Sequence, residues 1–164
     1  MEVTPTRKPN RLTGFEYNTP HAYFITVCTK NRTHLLWQNV GAIIDRPENV
    51  RLSALGNIVE RAILNIPIHY PTITVDQYVV MPNHIHLLLQ IHCDTGGRSV
   101  SAPTISTVIR LMKAAATKEA GFPLWQKGFY DHVIRNESDY AEVWNYIAGN
   151  PLKWEDDELR RQTC

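Results

Sequence analysis

Two neighbouring segments with the pattern of β-strands place the strongest constraint on the fold of this chain. Ile73 to Val80 alternates apolar and polar side chains, and His84 to Ile91 is a second strand-like run. Only Met81-Pro82-Asn83 lies between them, and so short a turn joins strands as an antiparallel hairpin. The chain is therefore expected to contain an antiparallel sheet.

The rest of the chain adds two strand patterns and three amphipathic helix patterns. The further strands are predicted at Tyr23 to Thr29 and at Leu124 to Ile134, the latter with an irregular start at Gly128. The helices are predicted after the N-cap Ser53 and ending before Pro67, from Ile105 to Ala116, and from Glu137 to Gly149. This order predicts an α+β fold, a ferredoxin-like, four-stranded antiparallel sheet like that of RNA-recognition modules, with helices on one face and the other face free.

Length and composition indicate one domain. The 164 residues, 43% of them hydrophobic, can build a single core, so residues 1–164 are expected to form one domain with a polar arm at 1–20 and a flexible loop at 94–103. No apolar run reaches membrane-spanning length, and the three cysteines form no C-x-x-C pair. A soluble, cytoplasmic protein with reduced thiols and no membrane partner is expected.

The charge distribution neither requires nor excludes a nucleic-acid partner. A net charge of +1 argues mildly against one, because nucleic-acid-binding domains are often strongly basic. Residues 98–135, however, carry six basic and two acidic side chains, whereas Glu155 to Glu158 is wholly acidic. A local basic surface on a neutral protein is compatible with this pattern, as are solvated charges on helix faces.

The second strand of the hairpin carries a candidate metal site. His84 and His86 are two residues apart, so on a strand both imidazoles project from one face while Ile85 points to the other. Imidazole binds several divalent metals, and added oxygen donors with water positions would favour Mg²⁺ or Mn²⁺ over structural zinc. Such a site is expected to be partly exposed. The alternative is a pair of hydrogen-bonded histidines without a metal.

The last predicted helix carries a candidate nucleophile. Its core-facing stripe consists of Tyr140, Val143, Trp144 and Ile147. Tyr146 and Asn150 are four residues apart on one flank of that stripe, so both can reach one neighbour. The Asn150 carbonyl is a hard ligand, and the Tyr146 phenol is a nucleophile once activated. A half-buried aromatic and a helix-end residue are the alternative readings.

Several motifs together resemble one family. They are V-M-P-N-H-I-H at 80–86, the segment from Leu124-Trp125-Gln126 to Phe129, H-V-I-R-N at 132–136 and Y-I-A-G-N-P at 146–151. In this combination the chain resembles the single-tyrosine HUH transposases, and among them the REP-associated tyrosine transposases. The resemblance runs from about Tyr23 to Trp154.

The resemblance implies an activity and a site. It makes His84 and His86 metal ligands, Tyr146 the nucleophile and Asn150 a further ligand, where insertion-sequence members often have the longer Gln. It implies Mg²⁺ or Mn²⁺, single-stranded or hairpin DNA such as REP or other palindromic elements, and cleavage and strand transfer through a 5′-phosphotyrosine. Both a monomer and a homodimer are compatible with it.

Predictions for DNA contacts rest on residue type. Trp125, Phe129 and Tyr130 are candidates for base stacking, and Lys113 and Arg135 for phosphate contacts. For Trp125 and Phe129, a place in the core is the competing interpretation.

Two other functions would fit the predicted fold. A non-catalytic binding module could use a free sheet face to bind RNA, but it has no need of an H-x-H pair facing Tyr-x-x-x-Asn. A replication-initiator nuclease of the HUH type shares the chemistry but is normally part of a longer chain.

Overall fold

The computed structural model describes residues 21–38, 50–93 and 103–160. The predicted arm at 1–20 and all but the last residue of the predicted loop at 94–103 lie outside the described residues.

Among the described residues, four strands form one antiparallel sheet in the order β2-β3-β1-β4. Their bounds are Ala22–Cys28 for β1, Ile73–Val80 for β2, His84–Ile91 for β3 and Tyr130–Val133 for β4. The hairpin of β2 and β3 has the predicted limits. Because β1 and β3 lie at the centre, the connectivity is that of a ferredoxin-like sheet, and the predicted α+β class is confirmed.

Within the described ranges, four helices accompany the sheet: α1 at Ala54–Leu64, α2 at Ile66–His69, α3 at Ile105–Ala120 and α4 at Glu137–Gly149. The three longer helices follow Ser53, Thr104 and Asn136, whose side-chain oxygens each accept a hydrogen bond from a first-turn backbone N–H. Short 3₁₀ turns occur at Lys30–Arg32, Asn150–Asp156 and Glu158–Arg160. In the described ranges, no helix is long and apolar enough to cross a membrane.

The two faces of the sheet carry different helices. On one face, α1 and α3 pack against side chains such as Ile85 and form the main core. On the other face, Val143 and Ile147 of α4 pack against Leu88 and Phe24. The expectation of a free second face is therefore wrong. α4 buries the apolar side chains of that face, and their removal from water is favourable.

β4 is shorter than predicted. A strand was expected from Leu124 to Ile134 with an irregular start at Gly128, but the regular strand covers only four residues. Before it, an isolated bridge joins Trp125 to Thr29, and the Gln126 N–H donates to the Cys28 carbonyl at 2.9 Å. Gly128 adopts a φ of +79°, which breaks the extended backbone. In addition, Lys113 Nζ donates to the carbonyl oxygens of Gln126 and Gly128, each at 2.8 Å. The segment before β4 is thus an irregular stretch that contacts both the end of β1 and α3.

Candidate functional site

Two buried histidines lie next to each other on β3. His84 and His86 are 0% and 2% exposed, and their side chains project from the face that α4 partly covers. Ile85 points into the main core instead. The Nε2 atoms of the two imidazoles are 3.1 Å apart, so the same ring nitrogen of each residue approaches one point.

The other nitrogen of each ring has a hydrogen-bonding partner. His84 Nδ1 lies 2.8 Å from Asn83 Oδ1, and His86 Nδ1 lies 2.8 Å from Thr26 Oγ1 on the neighbouring strand β1. Partners of this kind orient imidazoles around metal ions. These partners therefore hold each ring with its Nε2 atom directed toward the Nε2 atom of the other histidine.

A carboxylate from the C-terminal segment joins the histidines. Asp157 Oδ2 is 3.6 Å from His84 Nε2, and the Asp157 side chain is 5% exposed. This oxygen has no hydrogen-bond partner among the described residues. Trp154, three residues earlier, packs near Trp37 and His84 at ring-centroid distances of 6.1 and 6.2 Å. The chain after α4 thus folds back over the histidines.

The three side chains fit a divalent cation. The donor atoms of His84, His86 and Asp157 all lie within 4.8 Å of one another. Two ligand atoms at right angles, each about 2.1 Å from an ion, are about 3 Å apart, close to the observed Nε2–Nε2 distance. A buried carboxylate oxygen without a donor is also a charge that a cation can pair with. Two imidazoles and one carboxylate are donors for several divalent metals.

Burial keeps both imidazoles neutral. It lowers the pKa of His84 well below the ordinary value of 6.5, and the nearby His86 and Arg32 lower it further. Burial also lowers the pKa of His86 to about 3. Since neutral imidazole is the form that binds a metal, protons do not compete for this site near neutral pH.

We expect the metal-free protein to lose stability as the pH falls below about 6.5. The unfolded chain protonates His84 and His86 near that pH, whereas the folded chain resists protonation down to the lowered pKa values, so acid favours the unfolded state. Each histidine contributes up to about 1.4 kcal/mol per pH unit within that window. Urea unfolding in EDTA between about pH 7.5 and about pH 5.5 measures the effect. A double variant, His84→Gln with His86→Gln, should have a flatter profile, and a profile parallel to that of the wild type would contradict the assignment.

The phenol of Tyr146 lies beside the histidines. Its ring centroid is 5.3 Å from that of His86 and 5.8 Å from that of Phe24. The residue is 49% exposed, so it contacts the buried group and also faces solvent. Burial raises the pKa of the hydroxyl above 10, and the neighbouring Asn150 amide opposes this rise. The phenol is therefore protonated at neutral pH.

Asn150 follows α4 directly, one turn beyond Tyr146. It is buried, and its Nδ2 has no hydrogen-bond partner in the described part of the chain. Both side chains line the same cleft as His86. The four-residue spacing thus brings the phenol and the amide to the histidines.

The other tyrosine of α4 is held elsewhere. The Tyr140 hydroxyl donates to Asp76 Oδ2 at 2.8 Å, and its ring stacks on Trp144. Burial, followed by the interaction with Asp76, raises the pKa of Tyr140 to about 12. Tyr140 does not line the cleft formed by the described residues.

An open cleft gives access to His86, Tyr146 and Asn150. Its volume of about 720 Å³ is within the range of ligand-binding sites. The exposed ring of Tyr130 and the partly buried ring of Phe129 both line it. Charged side chains of both signs also line it: Arg32, Lys127, Lys153, Asp156, Asp157 and Glu158. The cleft can therefore offer cations to a phosphate and oxygen donors to a metal.

Three residues predicted as DNA contacts are not part of the cleft that the described residues form. Trp125 is 9% exposed and packs in the main core, which argues against base stacking and agrees with the competing interpretation. The Lys113 ammonium is engaged by two backbone carbonyls of the loop before β4. Arg135 is exposed just before α4. By contrast, His84, His86, Tyr146 and Asn150 are brought together.

Sequence reasoning missed several residues of the site. Asp157 belongs to the acidic run at 155–158, which was interpreted only as a charged tail. Asn83 was included in the turn and in the V-M-P-N-H-I-H motif, but no role in the site was assigned to it. For Thr26 and Arg32 the sequence gives no comparable signal, because their place depends on strand pairing and on the loop after β1.

Comparisons with known proteins identify relatives. No family model matches the chain. An uncharacterized protein of Haemophilus influenzae (strain ATCC 51907 / DSM 11121 / KW20 / Rd) is 34% identical over 172 residues, which cover 93% of this chain and 92% of that protein. A second protein from that strain, which bears the name REP-associated tyrosine transposase, is 30% identical over 93 residues, covering 52% of each chain.

A third relative and a solved structure are also similar to the chain. A REP-associated tyrosine transposase of Escherichia coli (strain K12) is 30% identical over 80 residues, covering 48% of this chain and 44% of that protein. The chain thus spans about half the length of the relatives that carry this name. The fold is similar to that of a REP-associated tyrosine transposase bound to a REP hairpin, with a TM-score of 0.59, 22% identity, and coverage of 87% of this chain and 73% of that chain. Over about half of its length, the chain is thus similar in sequence to REP-associated tyrosine transposases, and its fold is similar to that of one of them.

Proposed function

We propose that this protein is a metal-dependent single-strand DNA endonuclease and strand transferase with Tyr146 as its nucleophile. The observation that carries the proposal is a half-exposed phenol beside two buried, neutral histidines and a carboxylate oxygen that lacks a partner among the described residues. His84, His86 and Asp157 would hold the cation, Mg²⁺ or Mn²⁺, and Asn150 would be a further oxygen donor.

The reaction is a transesterification. When bound, a divalent cation offsets the charge on the non-bridging oxygens of the scissile phosphate. Tyr146 Oη attacks phosphorus in line, so the Oη–P bond forms while the P–O3′ bond breaks, and the products are a 5′-phosphotyrosine and a free 3′-hydroxyl. The 3′ oxygen gains a proton in place of the one that the phenol loses. Because one ester replaces another, a second 3′-hydroxyl can reverse the step and transfer the strand.

A tyrosine suits this reversible step. Phenolate is a better leaving group than an alkoxide, so the joining reaction faces a lower barrier than it would with serine. In the forward direction the raised pKa of Tyr146 is a cost, since the phenol must lose its proton as it attacks. Electrostatic stabilisation of the phenolate by nearby positive charge would reduce that cost.

Cations lining the cleft are proposed for the phosphate contacts. Arg32, Lys127 and Lys153 reach it, whereas Lys113 and Arg135 do not line the part that the described residues form. Arg32 is of particular interest because it and Asn31 have φ values of 52° and 56°, in the left-handed region that non-glycine residues rarely adopt. Its Nε is also buried without a hydrogen-bond partner among the described residues.

The proposed substrate is single-stranded DNA next to a hairpin. A REP hairpin is bound in the solved relative with the similar fold. Phe129 and Tyr130, which line the cleft, are candidates for stacking on unpaired bases. The competing function, an RNA-recognition module, would need an open sheet face, and here α4 and the segment around Asp157 cover part of that face.

Cleavage of labelled DNA tests the proposed function. The full chain is incubated with single-stranded oligonucleotides with and without a hairpin, in Mn²⁺, in Mg²⁺ or in EDTA, and the products are separated on denaturing gels. We expect shortened DNA and a protein–DNA adduct only with a divalent cation. Binding of the same oligonucleotides without cleavage under every metal condition would contradict the proposal.

Asp157→Asn should weaken the binding of Mn²⁺ by at least about tenfold, because a buried charged donor becomes a neutral one. Asp156→Asn is the matched control, since Asp156 is an acidic neighbour that lines the cleft but is not part of the histidine group. Calorimetric titration of both variants measures the difference. Equal affinities for the two variants would remove Asp157 from the metal site.

A further inference from the structure

The orientation of the Asn83 side chain determines which nitrogen of His84 carries hydrogen. Asn83 is fully buried, and its Nδ2 donates to the carbonyl oxygens of Leu159 at 2.6 Å and Arg32 at 3.2 Å. Carbonyl oxygens only accept, so the amide NH₂ must face them, and Oδ1 must face His84. Since Oδ1 cannot donate, His84 Nδ1 carries the hydrogen and donates at 2.8 Å. His84 Nε2 is left with a free lone pair.

The hydrogen position on His86 follows from that of His84. The two Nε2 atoms are at hydrogen-bonding distance, 3.1 Å, and His84 Nε2 has no hydrogen to give. A hydrogen bond between these two atoms in the metal-free protein therefore requires His86 Nε2 as the donor. His86 Nδ1 then has the free lone pair and accepts from the Thr26 hydroxyl at 2.8 Å. The bonds run in one direction, from Thr26 through both imidazoles to Asn83.

A cation would require a different hydrogen position on His86 alone. Both Nε2 atoms must offer lone pairs to a shared ion, which His84 already does. His86 must lose its hydrogen from Nε2 and gain one on Nδ1, by exchange with water, and the total number of protons on the site is unchanged. Its partner Thr26 has a hydroxyl that can rotate and accept as readily as it donates.

We infer that Asn83 and Thr26 are positioning residues with different tasks. This inference rests on the proposed metal site. Asn83 holds His84 permanently in the metal-binding tautomer. Thr26 supports His86 in both tautomers, donating to Nδ1 in the metal-free protein and accepting from it in the metal-bound protein. In the metal-free protein His84 is thus already in its metal-binding tautomer, and only His86 must change its tautomer when a cation binds.

Nitrogen-15 NMR of the imidazoles tests this inference directly and without DNA. In the metal-free, full-length protein, we expect the hydrogen of His84 on Nδ1 and that of His86 on Nε2. Saturating Mg²⁺, which is diamagnetic, should move the hydrogen of His86 to Nδ1 and leave His84 unchanged. Hydrogen on His84 Nε2 in the metal-free protein, or an unchanged His86 in Mg²⁺, would overturn the inference.

Variants of Thr26 give a second, independent readout. Thr26→Val keeps the shape but has no hydroxyl, so we expect its affinity for Mn²⁺ to fall about 10- to 100-fold. Thr26→Ser restores the hydroxyl and should bind within about threefold of the wild type. Thr74→Val, a strand threonine outside the cleft of the described residues, controls for the substitution itself. Wild-type affinity in Thr26→Val, or a matching loss in Thr26→Ser, would contradict the role of the hydroxyl.

The results separate this inference from the proposed function. Predicted tautomers and metal affinities in a protein that never cleaves DNA would support the roles of Asn83 and Thr26 and count against the nuclease. Metal-dependent cleavage by a protein whose imidazole hydrogens do not move on metal binding would support the nuclease and count against the roles of Asn83 and Thr26.

Discussion

Tyr146→Phe is expected to abolish DNA cleavage and the covalent adduct together, while DNA binding persists. The substitution removes one hydroxyl and keeps the ring that contacts His86 and Phe24. Removal of a covalent nucleophile lowers the rate by at least about four orders of magnitude, so no product should be detectable. Cleavage and adduct formation are measured on denaturing gels, and binding is measured by fluorescence anisotropy with the same oligonucleotide.

Tyr140→Phe is the matched control on the same helix. It removes the hydrogen bond from Tyr140 to Asp76, which should cost about 1 kcal/mol of folding stability. Cleavage should be unchanged, because this hydroxyl is bonded to β2 and does not line the cleft of the described residues. An adduct in Tyr146→Phe, or loss of cleavage in Tyr140→Phe with the fold intact, would contradict the assignment of the nucleophile.

The second large effect is expected for His84→Gln and His86→Gln. Loss of either imidazole should prevent cation binding and lower cleavage by about three orders of magnitude, since metal stabilisation of the phosphate is worth several kcal/mol. Calorimetric titration with Mn²⁺ and the cleavage assay measure the two consequences. His132→Gln is the control, because His132 pairs with Asp139 outside the cleft of the described residues. Full activity in the double variant His84→Gln with His86→Gln would remove the metal from the mechanism.

Glutamine is preferred to alanine because the histidines are buried. A partly exposed site was expected from the sequence, and this expectation is wrong for both rings. Alanine would leave a cavity and would strip Asn83 or Thr26 of a hydrogen-bond partner, each a cost of about 1–3 kcal/mol. Glutamine fills more of the space and keeps polar atoms near those partners. Unfolding curves of the variants distinguish loss of metal from loss of fold.

The elements with strong local signals could be predicted from the sequence. The Met81-Pro82-Asn83 turn fixes the limits of β2 and β3, and the Asn136 cap fixes the start of α4. Strand alternation placed His84 and His86 on one face, and helical spacing placed Asn150 one turn after Tyr146. These relations involve only neighbours along the chain, so they do not depend on tertiary contacts.

Features set by distant contacts could not be predicted. The irregularity at Gly128 was expected, but the contact of Lys113, on α3, with the carbonyls of Gln126 and Gly128 has no local sequence signal. Asp157 lies near His84 in a C-terminal segment whose Trp154 packs beside the distant Trp37. The sequence did hold one unused clue to the position of α4: Phe24 and Leu88 are apolar residues on the face that was expected to be free.

Identification of the residue that becomes attached to DNA tests the central claim most directly. The adduct formed with Mn²⁺ and a single-stranded oligonucleotide is digested with protease and nuclease, and the modified peptide is sequenced by mass spectrometry. The account predicts a nucleotide linked through a 5′-phosphate to the phenolic oxygen of Tyr146. A nucleotide on Tyr140 or on any other residue, or cleavage without any covalent adduct, would contradict it.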